Sequence, residues 1–247
     1  MEAESDLKYD IPGDFLQWMM DLAKTEKESH PHNLAHRLLG ITSMAVVHTS
    51  AMSLTHALYD LLLMTQWVEP LLEEIQTEIS DWPNISQANL NNLNFMDSLL
   101  KESQSFNPPG EHTVSFHRVV KHNLTLSDGL LLPKGTHICM ATGPISRDPE
   151  VVEHPEVFDA FRFVKQKAAT SGFVSTGPNH MHFGLGRYAC PGRFFASVVM
   201  KLILCRFMME YEVHFAPNQT ERPRNILIGD KIVPSVSTPI FIKKRAS

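Results

Sequence analysis

The chain has 247 residues, 43% of them hydrophobic, and a formal charge of −5. That apolar content can build a substantial core, which excludes a disordered chain. The charge is spread along the sequence, without the basic stripe that nucleic-acid binding needs, and Cys139, Cys190 and Cys205 are too few for a disulfide framework.

In chain order, the first ten residues are acidic and polar, unlike a signal peptide. No stretch supplies about 18 uninterrupted apolar residues for a membrane span; the nearest, 41–64, is broken by His48, His56, Tyr59 and Asp60. The expectation is a chain with no membrane anchor. Sequons at Asn84, Asn123 and Asn218 carry no weight without a sign of secretion. The spacing of Phe15, Leu16, Trp18, Met19 and Leu22 predicts a helix over 11–29, with a break at 29–33. From 34 to 64 only Gly40 weakens a second helix, roughly 45 Å long at 1.5 Å per residue. Shorter helices are expected after Glu69-Pro70 and over 90–105, the latter stopped by Pro108-Pro109-Gly110. Strands follow at 113–120, 130–132 and 136–140, with Ser127-Asp128-Gly129 as a tight turn. Residues 143–178 read as an ordered, coil-rich crossing, and 213–215 with 233–242 as a final hairpin.

The most informative stretch is Phe183-Gly184-Leu185-Gly186-Arg187-Tyr188-Ala189-Cys190-Pro191-Gly192. Its first two glycines permit backbone conformations that a side chain forbids. Pro191 suits a first helical turn, and Phe194, Phe195, Val198, Val199, Leu202 and Ile203 then recur at helical spacing. Cys190 is therefore expected at a helix N-terminus, where free N–H groups and the dipole favour a thiolate, a metal ligand or nucleophile. A lone cysteine is more often a small buried apolar residue, and Cys205 reads that way.

Phe183, Gly186, Cys190 and Gly192, at offsets zero, three, seven and nine, resemble the haem-ligand loop of the cytochrome P450 family. The continuation Pro191-Gly192-Arg193-Phe194-Phe195-Ala196 resembles fungal members of that family, and Ala45-Val46-Val47-His48-Thr49-Ser50 resembles its terpenoid-oxidising fungal members of secondary metabolism. The resemblance runs from about residue 34 to the C-terminus and corresponds to the C-terminal half of a family member. It implies a mainly α fold with small β-sheets: a long central helix, a Glu-x-x-Arg-like helix, a β region, a meander, the cysteine loop and its helix. Residues 1–33 are then an N-terminal helix and linker, and 34–247 the haem-binding half.

On the same resemblance, Cys190 is the axial ligand of haem b. Glu102 lies on the Glu-x-x-Arg-like helix, but Ser105 stands where the arginine belongs. Arg162, in the meander, is the remaining partner of that network. Arg118 matches a propionate-reaching strand, and Tyr188 replaces the loop's usual basic residue. Thr49 matches the proton-relay threonine of the long helix, and His48 replaces the usual acid before it. The implied activity is a monooxygenase inserting one oxygen atom into an apolar small molecule, with electrons from NADPH–cytochrome P450 reductase. Family members of this type are anchored in the endoplasmic reticulum membrane; the expectation is that this chain carries no such anchor. The alternative is a truncated, catalytically inactive remnant that binds haem weakly or not at all. On residues alone, an exposed helix glutamate and a core histidine remain open readings of Glu102 and His48.

Overall fold

The computed structural model describes residues 11–108, 115–166, 171–229 and 231–245. The polar first ten residues, Pro109-Gly110, Thr113-Val114 and 167–170 of the crossing lie outside the described residues. The chain forms two compact units, residues 1–48 and 49–247.

In the first unit the helix expected over 11–29 is two helices, α1 (Phe15–Asp21) and α2 (Glu26–Ser29). Each has its own cap: the Asp14 carboxylate accepts from the Gln17 amide, and Thr25 from Glu28. These satisfy amides that a helix start leaves orphaned. Pro31 opens α3 (Pro31–Leu39), as a residue without an N–H can at that position. A π-helical stretch, Gly40–His48, follows. Its register has a local cause: the hydroxyls of Thr42 and Ser43 donate to the carbonyls of Leu38 and Leu39, four residues back, and compete with the α ladder. Among the described residues of this unit only Leu34 is buried.

The second unit continues with α4 (Thr49–Leu63), α5 (Val68–Glu78), α6 (Gln87–Asn91) and α7 (Asn94–Phe106). Four two-stranded antiparallel sheets follow or are interleaved. They pair β1 (Ser115–Val119) with β4 (His137–Met140), and β2 (Leu124–Thr125) with β3 (Leu131–Leu132). Short α8 (Thr142–Ser146) and α9 (Arg162–Gln166) punctuate the crossing. After α10 (Arg193–Glu210), β5 (Tyr211–Phe215) pairs with β8 (Ile240–Lys244), enclosing a hairpin of β6 (Ile226–Ile228) and β7 (Lys231–Val233). The strand expected over 233–242 is thus divided, because Pro234 and Pro239 cannot donate to a ladder.

The core lies where α4, α5, α7 and α10 meet, with Ala57, Leu71, Ile75, Leu99, Leu100, Leu204 and Cys205 at its centre. Cys205 is fully buried, and desolvation, aided by Glu74, pushes its thiol up to about 12. Lys201 of α10 is 3% exposed and pairs with Asp97 of α7 at 2.7 Å, so these two helices are also held by charge.

By length and composition, the helical run Pro31–Leu63 is sufficient to cross a membrane, with mean hydropathy 1.3 over its apolar window. The run still holds no stretch of about 18 uninterrupted apolar residues, so it qualifies by average hydropathy and length alone. Three of the residues that interrupt it, His56, Tyr59 and Asp60, are buried within protein. Asp60 accepts from the Ser103 hydroxyl at 2.6 Å and from Arg222, whose guanidinium also donates to His56 Nδ1 at 3.0 Å. Arg222 continues to Asn225 and, through it, to Asn107. Burial, then Arg222, lowers the His56 pKa to about 4. The unfolded chain binds a proton near pH 6.5 that the native His56 refuses, so this group's contribution falls as pH drops from about 6.5 towards 4. Its slope reaches at most about 1.4 kcal/mol per pH unit. Urea melts between pH 7 and 5 are expected to show a shallower pH dependence for His56→Gln than for the parent chain.

Candidate functional site

The cysteine loop is closed by its own backbone. The Cys190 amide donates to the Phe183 carbonyl at 2.6 Å, the Gly184 amide to Met181 at 2.8 Å, and Ala189 to Gly186 at 3.1 Å across a 3₁₀ turn. Gly184 and Gly186 both have positive φ, +79° and +62°. At Gly184 a Cβ would come within 3.0 Å of the Tyr188 carbonyl oxygen, so glycine is required by space as well as by conformation.

The helix after the loop starts at Arg193 with Gly192 as its N-cap, so Pro191 sits in the preceding turn rather than inside the helix. Gly192 adjoins the sulfur: a Cβ there would lie 4.0 Å from Cys190 Sγ, an ordinary contact distance. Cys190 is partly exposed just ahead of the unpaired amides of the first turn of α10. Arg193 Nη1 donates to the Cys190 carbonyl at 2.7 Å and ties loop to helix.

A cavity of about 610 Å³ adjoins the loop, lined by Gly184, Tyr188, His182, Arg118, Phe116 and Lys231 among others. The β1–β4 register shifts between Ser115 and Arg118, and Phe116 takes φ +57°, a conformation that bulky residues rarely adopt. This irregularity occurs at the strand position where the chain turns towards the cavity, as bulges beside binding sites commonly do. Arg118 stacks over the Tyr188 ring, 5.0 Å from its centroid. Two of the residues singled out in the sequence are therefore brought together.

Glu102 and Arg162 are brought together as well. Arg162 Nε lies 3.1 and 3.0 Å from the two Glu102 carboxylate oxygens, with the residues 8% and 2% exposed. The other guanidinium nitrogens donate to the carbonyls of Glu153, His154 and Val157, and the Asp159 amide donates to Glu102 at 3.0 Å. Burial raises the Glu102 pKa, and the Arg162 hydrogen bond opposes the rise. The open reading of Glu102 as an exposed helix residue is thereby closed.

The cytochrome P450 family model matches residues 1–238. This chain belongs to the cytochrome P450 family. It is 81% identical over 246 residues to cytochrome P450 monooxygenase janP of Penicillium janthinellum, covering 100% of this chain and 47% of that protein. It is 71% identical to ptmP of Penicillium ochrochloron, covering 55% of it, and 70% identical to paxP of Penicillium paxilli, covering 48%. The P450 chain spans about half the length of the curated relatives it matches. A zebrafish cytochrome P450 solved with abiraterone has the same fold, with TM-score 0.75 at 19% identity, over 96% of this chain and 55% of that one. The mainly α architecture with small sheets is thus a partial P450 fold.

The structure also places the two expected relay residues. Thr49 opens α4, which packs against α10, and is partly buried. His48 ends the π-helical stretch and is exposed, so it is no core histidine. Sequence reading missed the group formed by Lys101, His180 and His182 beside Ser105. Its signal was the His180-Met181-His182 spacing directly before Phe183, which places two imidazoles two residues apart.

Proposed function

We propose that this chain is the haem-binding portion of a fungal secondary-metabolism monooxygenase that inserts one oxygen atom into an apolar small molecule, with terpenoids as the leading class. The supporting observation is the hydrogen-bonded loop that presents a partly exposed Cys190 just before the start of α10. The residues fit haem b: a partly exposed thiol ahead of a helix start, and a cavity beside it lined by Arg118 and Tyr188.

In this reading Cys190 would hold the haem iron through its thiolate, and Phe183, Gly186 and Gly192 shape its loop. Arg118 would meet a propionate by charge, while Tyr188 would offer a hydrogen bond and has a ring that steadies Arg118. Thiolate-ligated haem supplies the oxygen chemistry when bound. Thr49 is the proton-relay hydroxyl, and His48, its chain neighbour, the acid–base group. Glu102 and Arg162 hold the meander on α7. Residues 34–247 form the haem-binding half, and electrons come from a reductase of the NADPH–cytochrome P450 reductase type.

The test is haem uptake by the purified chain, followed by reduction and carbon monoxide. A thiolate-type Soret band is expected, absent in Cys190→Ala. No uptake of haem, or a band unchanged by Cys190→Ala, overturns the proposal in favour of an inactive remnant.

A further inference from the structure

We infer that His182 seats the cysteine loop on α7, as a positioning residue that stands in for the arginine absent at position 105. Ser105 is 5% exposed, and its hydroxyl donates to the Lys101 carbonyl at 3.1 Å. The same oxygen lies 3.5 Å from His182 Nε2, and that imidazole separates Ser105 from the cavity that His182 lines. Ser105 shares a helix face with Glu102, three residues before it. Glu102 is already gripped through both oxygens by Arg162, so its charge is answered without a second guanidinium.

The surroundings favour a neutral partner at this position. Lys101 is buried, and desolvation lowers its ammonium pKa to about 8. Burial, then His180 and Lys101, keeps His182 neutral, its pKa lowered to about 3. His180 is held by α9: its ring meets Phe163 edge-on at 5.0 Å, and Lys101 of α7 lies 4.8 Å from the same Phe163 centroid. The segment 180–182 is therefore held at two points, to α7 through His182 beside Ser105 and to α9 through His180 on Phe163. His182 is followed directly by Phe183, whose carbonyl closes the loop on the Cys190 amide. One peptide unit and one hydrogen bond thus carry the seat to the cysteine.

Arginine at 105 and imidazole at 182 compete for one space, which makes the two positions interdependent. Ser105→Arg is expected to raise the unfolding equilibrium constant of the full chain about tenfold, but about threefold or less in a His182→Ala background. Urea melts without cofactor measure both. If Ser105→Arg does not fold, Ser105→Gln gives the same comparison with a shorter, uncharged side chain. The positional readout is the rate at which Cys190 reacts with a chromogenic disulfide, measured with Cys139→Ser in every background. His182→Ala is expected to raise that rate severalfold, and Ser105→Arg added to it to restore the slower rate. Equal costs of the 105 substitution in both backgrounds, or a Cys190 rate indifferent to His182, overturn the inference. None of these measurements uses haem, so they stand apart from the test of the proposed function.

Discussion

Arg162→Ala is expected to lower the unfolding free energy by about 3–5 kcal/mol, the cost of breaking a buried ion pair from one side. The magnitude follows from what the substitution strands. Glu102 is 2% exposed and would keep only the Asp159 amide among the partners described here. The carbonyls of Glu153, His154 and Val157, which now converge on the guanidinium, would lose their shared donor. Glu102→Gln added to Arg162→Ala is expected to recover part of the loss, because an amide carries no buried charge. The exposed Lys243–Glu212 pair provides the contrast: with side chains 75% and 47% exposed, it is the kind of pair worth about 0–1 kcal/mol. A loss at Arg162 of that smaller size would remove the pair from the core of the fold.

Gly184→Val is expected to be nearly as costly and to act on the cysteine directly. A φ of +79° costs a side chain about 1–2 kcal/mol. Overpacking adds about 1–3 kcal/mol, since the new Cβ would press on Tyr188 O at 3.0 Å and Ala189 Cα at 3.2 Å. Both are backbone atoms immediately before Cys190, so relief requires moving the cysteine. Gly186→Ala separates the two contributions: φ is +62° there, but a Cβ meets nothing within 4 Å. It should lose only the conformational part, about 1–2 kcal/mol. Urea midpoints for the two variants check the difference; equal losses would show that the contact with Tyr188 relaxes freely.

The sequence reading recovered what local chemistry or a dense motif encodes. Glycine at 184 and 186 announced a turn, and the apolar run after Pro191 announced α10. The run did not say which side would be covered. Ser197, Met200, Lys201, Leu204, Cys205 and Met208 face the core, while Phe194, Phe195 and Ile203 stay exposed. A helix apolar on every side carries no directional signal. The Glu102–Arg162 pair spans 60 residues and was legible only through family resemblance. His56, Tyr59 and Asp60 were read as interruptions of an apolar helix, yet they are buried because Arg222 and the Ser235 carbonyl arrive from far along the chain. The break between β7 and β8 was missed, although Pro234 and Pro239 mark it.

The pairing of Asp60 with Arg222 also sets an order of events during synthesis. The two residues are 162 positions apart. At ribosomal speeds of about 5–20 residues per second, α4 emerges roughly 8–32 s before Arg222 is made. Until then Asp60 can draw on the Ser103 hydroxyl but on no guanidinium from residue 222, and burying its carboxylate is unfavourable. The closest packing of α4 against α7 therefore waits for the 222–225 segment. The nascent chain settles from its late residues backwards, and a ribosome pausing before residue 222 would hold the two helices apart.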